Sequence, residues 1–350
     1  MESLWDYPDF DEHELVHFVT DRVSGLRAIV AVHSTHLGPG AGGTRFWHYA
    51  NPGEAIADAL RLSRGMSFKN AMAGLPLGGG KAVILADETR TKTPAMLAAY
   101  GRAIERLGGA YVTAEDVGIG VADLVEVAKE TKYVSGLPVA SGRAGGDPGP
   151  YTSYGVFLGV KAAVRRKLGK DNLAGLHLAI QGAGSVASGL ARQAAAEGAR
   201  LTIADVDQAK AEALAAETGG TTVPPEAIMT VAADVFAPCA LGAILTPASI
   251  AALQVPIIAG GANNQLATQA EGDLVRDRGI LYAPDYVINA GGIINVASEY
   301  LGEGDEATVR TRIEQIPGRL ETIWDESDSS GRNAADVADA MARRLIGRGD

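Results

Sequence analysis

Two lysines in one short stretch are the first residues of this chain whose types and spacing could do chemistry. Lys69 and Lys81 flank the segment NAMAGLPLGGG, which ends in the glycine run Gly78–Gly80. Glycines beside a lysine often let backbone approach an anion, so a nucleotide-binding P-loop is one interpretation. That motif needs glycine where Leu75 stands and Ser or Thr where Ala82 stands, and it follows a strand instead of entering one. A glycine-rich turn with an exposed lysine is the alternative.

Two further segments of the first half carry polar or glycine-rich ends. The strand-like Tyr111–Ala114 ends at Glu115-Asp116, and an acidic pair in that place is typical of a helix N-terminal cap. The extended segment Gly38–Trp47 contains several glycines before Thr44-Arg45. Glycine within a strand indicates either close approach of another backbone or ligand, or a bulge.

A glycine motif in the second half has a more specific context. Gly182, Gly184 and Ala187 form Gly-x-Gly-x-x-Ala between a predicted strand, Leu176–Ile180, and an alanine-rich predicted helix. This pattern is typical of a pyrophosphate site at a helix N-terminus. The next predicted strand ends at Asp205, where an acidic side chain hydrogen-bonds ribose hydroxyls and disfavours the extra phosphate of NADP. The sequence therefore predicts NAD.

The elements that must position these residues alternate between helix and strand. The first half reads as an α/β domain, with a helix over Glu54–Gly65, a loop carrying Lys69 and a strand over Ala82–Ala86. The second half reads as a doubly wound parallel sheet. The later predicted strands and helices lie at 234–237, 256–260, 280–283, 286–300, 307–324 and 333–345.

Composition bounds the class of protein. The chain has 350 residues, 47% of them hydrophobic, which is enough for two cored domains. A net charge of −11 without a basic block argues against nucleic acid or an anionic membrane as partner. The single cysteine, Cys239, leaves no internal disulfide and fits a reducing cytoplasm. Without a signal-peptide pattern or a bilayer-length apolar run, we expect a soluble cytoplasmic protein.

Taken together, the motifs resemble the Glu/Leu/Phe/Val dehydrogenase family, closest to its leucine, phenylalanine and valine dehydrogenase branch. The resemblance covers nearly the whole chain. The segments that carry it are LGPGAGGTR (37–45), SFKNAMAGLPLGGGKAVI (67–84), TAEDVG (113–118), GDPGPYTSYGV (146–156), QGAGSVA (181–187), DVFAPCALGAIL (234–245), AGGANNQL (259–266) and YAPDYVINAGGIINV (282–296).

The resemblance implies an α/β fold of two domains separated by a cleft, the second a Rossmann-type doubly wound parallel sheet. We expect residues 1–135 to form a domain for substrate binding, catalysis and oligomerisation, and residues 136–320 to form the NAD-binding domain. Helices of about 321–350 are expected to pack back on the first domain. The family forms dimers up to octamers, so a homo-oligomer is expected.

The activity implied by the resemblance is reversible oxidative deamination of an L-amino acid with NAD, without a metal. By its place in the motif, Lys69 resembles the residue that binds the substrate carboxylate. Lys81 resembles the catalytic lysine that activates water, and burial and the cation of Lys69 would depress its pKa. Asp116 resembles the family's acid/base residue.

The resemblance also implies contacts with substrate and cofactor. The expected substrate contacts are Ala41, Gly42, Gly43, Ala114, Asn263, Ile293 and Val296. The expected cofactor contacts are Arg45, Thr152, Gly182, Ala183, Gly184, Ser185, Val186, Asp205, Val206, Cys239, Ala240, Ala262, Asn263 and Asn289. Considered alone, Cys239 reads as a buried small hydrophobe, since no histidine stands near it in sequence.

Two positions depart from the family pattern. Gly149 stands where relatives commonly have Ser, and Ala41 stands where leucine dehydrogenases usually have Leu. An apolar pocket favours branched-chain substrates such as leucine and valine, with phenylalanine as the alternative. Two rivals are a different NAD-dependent oxidation, such as that of a 2-hydroxy acid, and a non-catalytic dinucleotide-binding protein. Both leave Lys69, Lys81 and Asp116 without a shared role.

Overall fold

The computed structural model describes residues 3–89, 91–138 and 143–349. The chain divides into two compact units. Unit 1 comprises Met1–Gly146, Val296–Glu306 and Met341–Asp350, and unit 2 comprises Asp147–Asn295 and Ala307–Ala340. The division between the units therefore falls after Gly146, whereas the sequence placed it after residue 135. Of the segment expected to return to the first domain, 321–350, unit 1 contains Met341–Asp350. The substrate and cofactor roles of the two units stay predictions.

Unit 1 is built on a mixed five-stranded sheet. Its strands are β1 Leu15–Asp21, β2 Leu26–Ser34, β3 Gly40–Trp47, β4 Gly78–Leu85 and β5 Tyr111–Ala114. Their order across the sheet is β1-β2-β4-β3-β5. β2 is antiparallel to both β1 and β4, whereas β3 runs parallel to both β4 and β5. The parallel strands β4, β3 and β5 therefore end at one edge of the sheet.

A long helix, α1 over Pro52–Met72, connects β3 to β4. Its start follows from local chemistry, because the Asn51 side chain accepts a hydrogen bond from Glu54 N (3.1 Å) and Pro52 occupies the first turn. The sequence predicted that this helix ends at Gly65, but the helix continues through that residue. A Cβ at Gly65 would meet no heavy atom within 4 Å, so the glycine lies on the open side of the helix and does not end it. Lys69 consequently lies in the last turn of α1, and its predicted placement in a loop was wrong.

Alternation along β2 separates two cores in unit 1. Ile29 and Ala31 pack with Ala55, Ala59 and Leu60 of α1 on one face of the sheet. The residues between them, including Val30, pack with the second helix, α2 Pro94–Arg106, on the other. A third helix, α3 Val121–Val127, contributes Leu124 and Val127 to that second core. The sheet thus has an apolar cover on both faces.

Unit 2 contains a parallel six-stranded sheet. Its strands are β6 His177–Gln181, β7 Arg200–Ala204, β8 Thr221–Thr222, β9 Val235–Pro238, β10 Ile257–Ile258 and β11 Leu281–Tyr282. The order β11-β10-β9-β6-β7-β8 places β6, the first strand of the unit, at the centre of the sheet. The next strands, β7 and β8, lie on one side of β6, and the later strands β9, β10 and β11 lie on the other. This is the Rossmann strand order, so the predicted doubly wound α/β fold is confirmed.

The helices after α3 differ from the sequence expectation at two places. Two separate helices replace the single one predicted over 286–300. The helix predicted over 307–324 is also divided, with Pro317 in the first turn of the second part. In the described part of the chain, no helix is long and apolar enough to cross a membrane. The helices are α4 Gly149–Leu168, α5 Ser185–Ala196, α6 Gln208–Thr218, α7 Pro247–Ala252, α8 Glu271–Asp277, α9 Asp285–Ile288, α10 Gly291–Tyr300, α11 Glu306–Ile313, α12 Ile316–Ser330 and α13 Ala334–Leu345.

Candidate active site

Glycines of β3 and β4 face one another across the sheet of unit 1. The register pairs Gly40 with Gly78 and Ala41 with Gly79. A Cβ at Gly42 would lie 1.9 Å from the carbonyl oxygen of Gly80. A Cβ at Gly79 would lie 2.1 Å from the amide nitrogen of Ser67 on α1. Gly78–Gly80 are therefore strand residues, not the loop that the sequence suggested, and their missing side chains let β3, β4 and α1 close on one another.

Tyr111 of β5 supports these glycines from inside the core. Its hydroxyl donates to the carbonyl oxygens of Gly42 (2.7 Å) and Gly43 (3.3 Å), and the side chain is fully buried. A Cβ at Gly80 would lie 2.5 Å from the Tyr111 ring. The ring thus packs on the backbone directly before Lys81, and the hydroxyl holds the glycine backbone of β3.

A lysine–carboxylate pair follows the glycines. The Nζ atom of Lys81 on β4 lies 2.6 Å from Oδ2 of Asp116, which follows β5. Backbone hydrogen bonds between Asp116 and Ile119 close the turn that holds this carboxylate. Gly43 makes room for it, because a Cβ there would lie 2.8 Å from the Asp116 Cβ. The structure thus brings together two residues that the resemblance, and not their spacing, had linked.

Burial decides the protonation chemistry of this pair. The Lys81 side chain is 8% exposed, and its desolvation lowers the lysine pKa below its ordinary value despite the attraction of Asp116. The cation that adds to this lowering is Arg45, whereas the sequence had assigned that effect to Lys69. Burial is the largest influence on Asp116 and raises its pKa, but Lys81 and Arg45 together lower it and leave the carboxyl pKa below its usual range. The two groups can exchange a proton over one short contact.

Lys69 is part of α1, as its basic residue in the last turn. Its side chain is half-buried in the last turn of that helix. The neighbouring Asn70 is fully buried and its Nδ2 donates to the Gly78 carbonyl (2.6 Å) and the Ala41 carbonyl (3.4 Å). This amide ties the end of α1 to the glycine strands, so the Lys69 backbone is fixed against β3 and β4.

The glycine motif of unit 2 forms the turn between β6 and α5. Gly182 has a φ of +106°, a backbone conformation that favours glycine. Gly184 precedes α5 as its N-cap without a side-chain capping hydrogen bond, and a Cβ there would meet nothing within 4 Å. The amide groups at this helix start are open to a ligand, which fits the pyrophosphate of a dinucleotide.

The end of β7 completes this turn. The Asp205 carboxylate accepts hydrogen bonds from Ala183 N (2.6 Å) and Asp207 N (2.8 Å), which fix its orientation beside the glycine motif. Val206, the next residue, is 86% exposed. Each carboxylate oxygen retains an accepting position for a ribose hydroxyl. The residues present therefore fit a dinucleotide with an adenosine ribose at the end of β7.

Other predicted contacts gather at the ends of β9 and β10. Cys239 and Ala240 lie against Gly182, at 3.1 Å from the place of a Cβ on that glycine. The buried Asn289 donates from Nδ2 to Oδ1 of Asn263 (2.8 Å), while its own Oδ1 has no hydrogen-bond partner. Burial raises the pKa of Cys239 to about 11, which agrees with a packing role and not a nucleophile.

Unit 2 has the site of a dinucleotide-binding enzyme, and unit 1 has a buried acid–base pair. Comparison with known proteins identifies the family to which the chain belongs. The family model described as Glu/Leu/Phe/Val dehydrogenase, dimerisation domain, matches residues 13–133, and the model described as Glutamate/Leucine/Phenylalanine/Valine dehydrogenase matches residues 201–343.

Individual relatives match nearly the full chain. A leucine dehydrogenase of Geobacillus stearothermophilus is 46% identical over 98% of this chain and 93% of its own length. A phenylalanine dehydrogenase of Bacillus thermotolerans is 41% identical over 99% of this chain and 91% of its own. The crystal structure of L-tryptophan dehydrogenase from Nostoc punctiforme superposes with a TM-score of 0.86 at 42% identity, covering 96% of both chains. The chain belongs to the Glu/Leu/Phe/Val dehydrogenase family and is an amino-acid dehydrogenase, an enzyme class that uses a nicotinamide dinucleotide.

The remaining predicted residues fall in both units. In unit 1, Ala41 and Val296 are buried and Ala114 is half-buried. In unit 2, Ile293 is half-buried, and the Thr152 hydroxyl donates to the Pro148 carbonyl of its own helix (2.9 Å). Ser185, Val186 and Ala262 lie in the turns already described. Their contacts with substrate or cofactor stay predictions.

The departure at Gly149 has a local cause. A Cβ at this position would lie 2.1 Å from Oγ of Ser185. A serine at 149 would therefore compete with the Ser185 side chain for the same space. In this chain the Ser185 hydroxyl, at the first residue of α5, takes that place.

Sequence reasoning missed several residues that build the catalytic side of unit 1. Two of them donate to glycine carbonyls, a third contacts Arg45 beside Asp116, and the fourth donates to that third residue. For Asp58, the available sequence signal was an acidic residue on the partly buried side of α1. Its meaning depends on its contact with Arg45 of β3, which the sequence does not show. The missed residues are Tyr49, Asp58, Asn70 and Tyr111.

Proposed function

We propose that this enzyme catalyses reversible oxidative deamination of an apolar L-amino acid with NAD, with leucine and valine as the first substrates to test. The observation that carries the proposal is the buried pair of Lys81 and Asp116, 2.6 Å apart, directly after the glycine strands. Neither a dinucleotide-binding protein without catalysis nor a simple alcohol oxidation needs a buried lysine of lowered pKa at that place.

The reaction converts an L-amino acid, NAD⁺ and water to a 2-oxo acid, ammonium, NADH and a proton. A bound nicotinamide dinucleotide supplies the hydride acceptor. The Lys69 ammonium binds the substrate carboxylate. Lys81 in its neutral form takes a proton from the water that attacks the iminium carbon, and burial favours this form because it lowers the lysine pKa. Asp116 passes protons between Lys81, water and the departing amine, because its Oδ2 lies within hydrogen-bond distance of the lysine.

NAD is proposed in preference to NADP. The carboxylate of Asp205, held by Ala183 N and Asp207 N, supports hydrogen bonding to ribose hydroxyls and repels a phosphate at the same place. No arginine stands among residues 205–210 to neutralise such a phosphate. The open start of α5 at Gly184 supports binding of the pyrophosphate.

The side chain of the substrate is the least constrained part of the proposal. Ala41, Ile293 and Val296 are apolar candidates for its pocket, and they favour a branched aliphatic side chain. The tryptophan and phenylalanine dehydrogenases among the relatives make an aromatic substrate the second candidate. A single methylene in such a pocket changes selectivity by only about 1–3 kcal/mol, so the ranking must come from rates.

The test is NADH formation, followed by its ultraviolet absorbance, with NAD and purified enzyme. The panel is L-leucine, L-valine, L-isoleucine, L-phenylalanine, L-tryptophan and L-glutamate. We expect turnover with the branched-chain acids, less with the aromatic acids and none with glutamate. Flat traces for all the apolar acids would contradict the proposed function. Repeating the leucine assay with NADP tests the cofactor preference.

The enzyme is also proposed to be a homo-oligomer, a dimer or an octamer. The support is that residues 13–133 match a family model described as a dimerisation domain. Light scattering after size-exclusion chromatography measures the mass directly. A monomer at micromolar concentration would contradict this part of the proposal.

A further inference from the structure

Arg45 of β3 lies between two carboxylates of unit 1. Its Nε is 3.3 Å from Oδ2 of Asp116, and its Nη1 is 2.7 Å from Oδ2 of Asp58 on α1. One planar guanidinium thus contacts the proposed acid/base residue with one edge and a second carboxylate with another. A lysine could not span both, because its ammonium is a single point of charge.

Asp58 is itself fixed from three sides. The Tyr49 hydroxyl donates to Oδ2 (2.7 Å), Arg61 contacts Oδ1 (2.9 Å), and Arg45 supplies the third contact. The Asp58 side chain is 13% exposed, whereas that of Arg61 is 47% exposed. Arg61 is therefore a surface contact, and the partly buried connection runs from Tyr49 and Asp58 to Arg45.

Arg45 and Lys81 share one oxygen atom of Asp116. The Lys81 Nζ is 2.6 Å and the Arg45 Nε 3.3 Å from Oδ2. Burial lowers the Lys81 pKa first, and the guanidinium lowers it further, while Asp116 and Asp58 oppose this. The charged groups that face Lys81 are Asp116 after β5, Arg45 on β3 and Asp58 on α1, and Lys69 stands on the same helix.

Arg45 can hold this place only if its own charge is balanced. Burial by itself would lower the pKa of the guanidinium, but Asp116 and Asp58 raise it above the ordinary value. If Asp58 were neutral, Arg45 would keep one ionic partner instead of two. Its side chain would then be free to leave Asp116 for solvent.

We propose that Arg45 is a positioning residue for Asp116 and Lys81, and that Asp58, braced by Tyr49, holds Arg45 in place. This inference deepens the proposed function and rests on it for the roles of Lys81 and Asp116. It differs from a cofactor contact, which the family resemblance implies for Arg45. The two roles make opposite predictions for cofactor binding.

The first experiment is the pH dependence of kcat/KM for L-leucine in the wild type and Arg45→Gln. Removing the guanidinium raises the Lys81 pKa, so the limb on which activity rises with pH should move upward by about one pH unit. NADH binding by the same variant, measured by fluorescence titration, should be unchanged. An unshifted limb with weaker NADH binding overturns the proposal and supports a cofactor contact.

The second experiment compares two changes at the Asp58 carboxylate. Asp58→Asn should lower kcat by about 10- to 100-fold with little change in KM for NAD, because Arg45 loses its anchor. Arg61→Gln removes the other cation from the same carboxylate and should behave as the wild type. Equal kinetics in the two variants would overturn the role of Asp58. Tyr49→Phe removes one hydrogen bond to Asp58 and keeps every charge, so it should give a smaller loss of kcat. This variant tests the role of Asp58 even if Asp58→Asn folds poorly.

A measurement without turnover separates this inference from the proposed function. The Lys81 ammonium can be titrated by NMR in protein labelled with ¹⁵N-lysine, with the signal assigned by its absence in Lys81→Arg. The pKa should be higher in Arg45→Gln than in the wild type. That result would stand even if no amino acid were oxidised, whereas equal pKa values would overturn the inference although the enzyme were active.

Discussion

Two regions of the molecule are rich in glycine, and they use it for opposite purposes. In the strands β3 and β4 of unit 1, the glycines are closely packed: a Cβ at Gly42, Gly79 or Gly80 would lie within 1.9 to 2.5 Å of other atoms. At the turn before α5 in unit 2, Gly184 faces open space, with no atom within 4 Å of its Cβ position. The first region excludes side chains to bring backbones together, and the second excludes them to leave room for a ligand.

The difference shows why a glycine pattern alone does not define a site. The run before Lys81 resembles an anion loop in sequence, but its backbone groups pair within a sheet and against α1. The turn Gly182–Ala187 is the region whose backbone amides remain available at a helix start. The chemistry proposed for unit 1 comes from the side chains that the packed glycines position, above all Lys81 and Asp116.

The largest effect should come from Gly79→Ala. The new methyl would lie 2.1 Å from Ser67 N and 2.5 Å from the Ser63 carbonyl, so α1 would have to move off β4. Such overpacking should cost about 3 kcal/mol or more and lower the melting temperature by roughly 10 °C. Differential scanning calorimetry measures this. A variant with unchanged melting temperature would show that the strands are not closed on the helix.

A buried histidine that packs against α1 should make the stability of the protein depend on pH. His13 lies against α1, with Nε2 3.0 Å from both Ser63 Oγ and the Leu60 carbonyl, and burial lowers its pKa to about 4 from 6.5. Between those values the unfolded chain binds the additional proton, so stability should rise with pH from 4 to 6.5, by about 3 kcal/mol at most.

Urea denaturation at several pH values tests this, with His13→Gln as the variant and the exposed His48→Gln as control. The rise should be smaller in His13→Gln and preserved in the control. An identical rise in all three proteins would exclude His13 as its source.

In the open region, Gly184→Ala should leave the fold intact and weaken the cofactor. The methyl meets nothing in the protein, so the melting temperature should not change. It would occupy the path of the pyrophosphate, and KM for NAD should rise by about 10- to 100-fold with KM for the amino acid little changed. A loss of stability without a change in KM for NAD would show that Gly184 serves packing, as the glycines of unit 1 do, and not cofactor binding.

The sequence predicted those parts of the fold whose signals lie close together along the chain, and missed those that depend on distant segments. The turn Gly182–Ala187, the strand before it and Asp205 were found from sequence because all of the signals lie within one βαβ unit. The strand character of Gly78–Gly80 was missed, since glycine weakens strands except where other backbones close upon it. Those partners are Gly40 and Gly42 on β3 and Ser67 on α1, which lie outside the run in sequence and become visible only with the register.

The candidate site shows the same limit. Lys81 and Asp116 came from family resemblance, and no spacing rule links residues on β4 and after β5. Asp58 was missed because it acts through a contact with Arg45, and Tyr49 because it acts through Asp58. Tyr111 was missed because it contacts glycine carbonyls. The end of α1 was misread at Gly65, although a glycine on the open side of a helix costs only about 1 kcal/mol.

A smaller effect on KM for the amino acid should distinguish the variants of two buried tyrosines of unit 1. Tyr111→Phe leaves the Gly42 carbonyl without its donor, which should cost about 1 kcal/mol and raise KM for the amino acid several-fold. Tyr100→Phe also removes a buried hydroxyl, but that hydroxyl contacts the side chains of Thr44, Thr113 and Tyr111 and no glycine. It should lose stability and keep KM. Equal effects of the two variants on KM would contradict the supporting role of Tyr111.

The most direct test of the account is the comparison of wild type and Lys81→Ala in oxidation of L-leucine by NAD. We predict that NADH formation falls by about 10²- to 10⁴-fold, because the base that activates water is removed. NADH binding, measured by fluorescence titration, should be unchanged, since the glycine turn of unit 2 is untouched. Near-normal turnover in the purified, folded variant would contradict the assignment of Lys81, and with it the chemistry proposed for the buried pair.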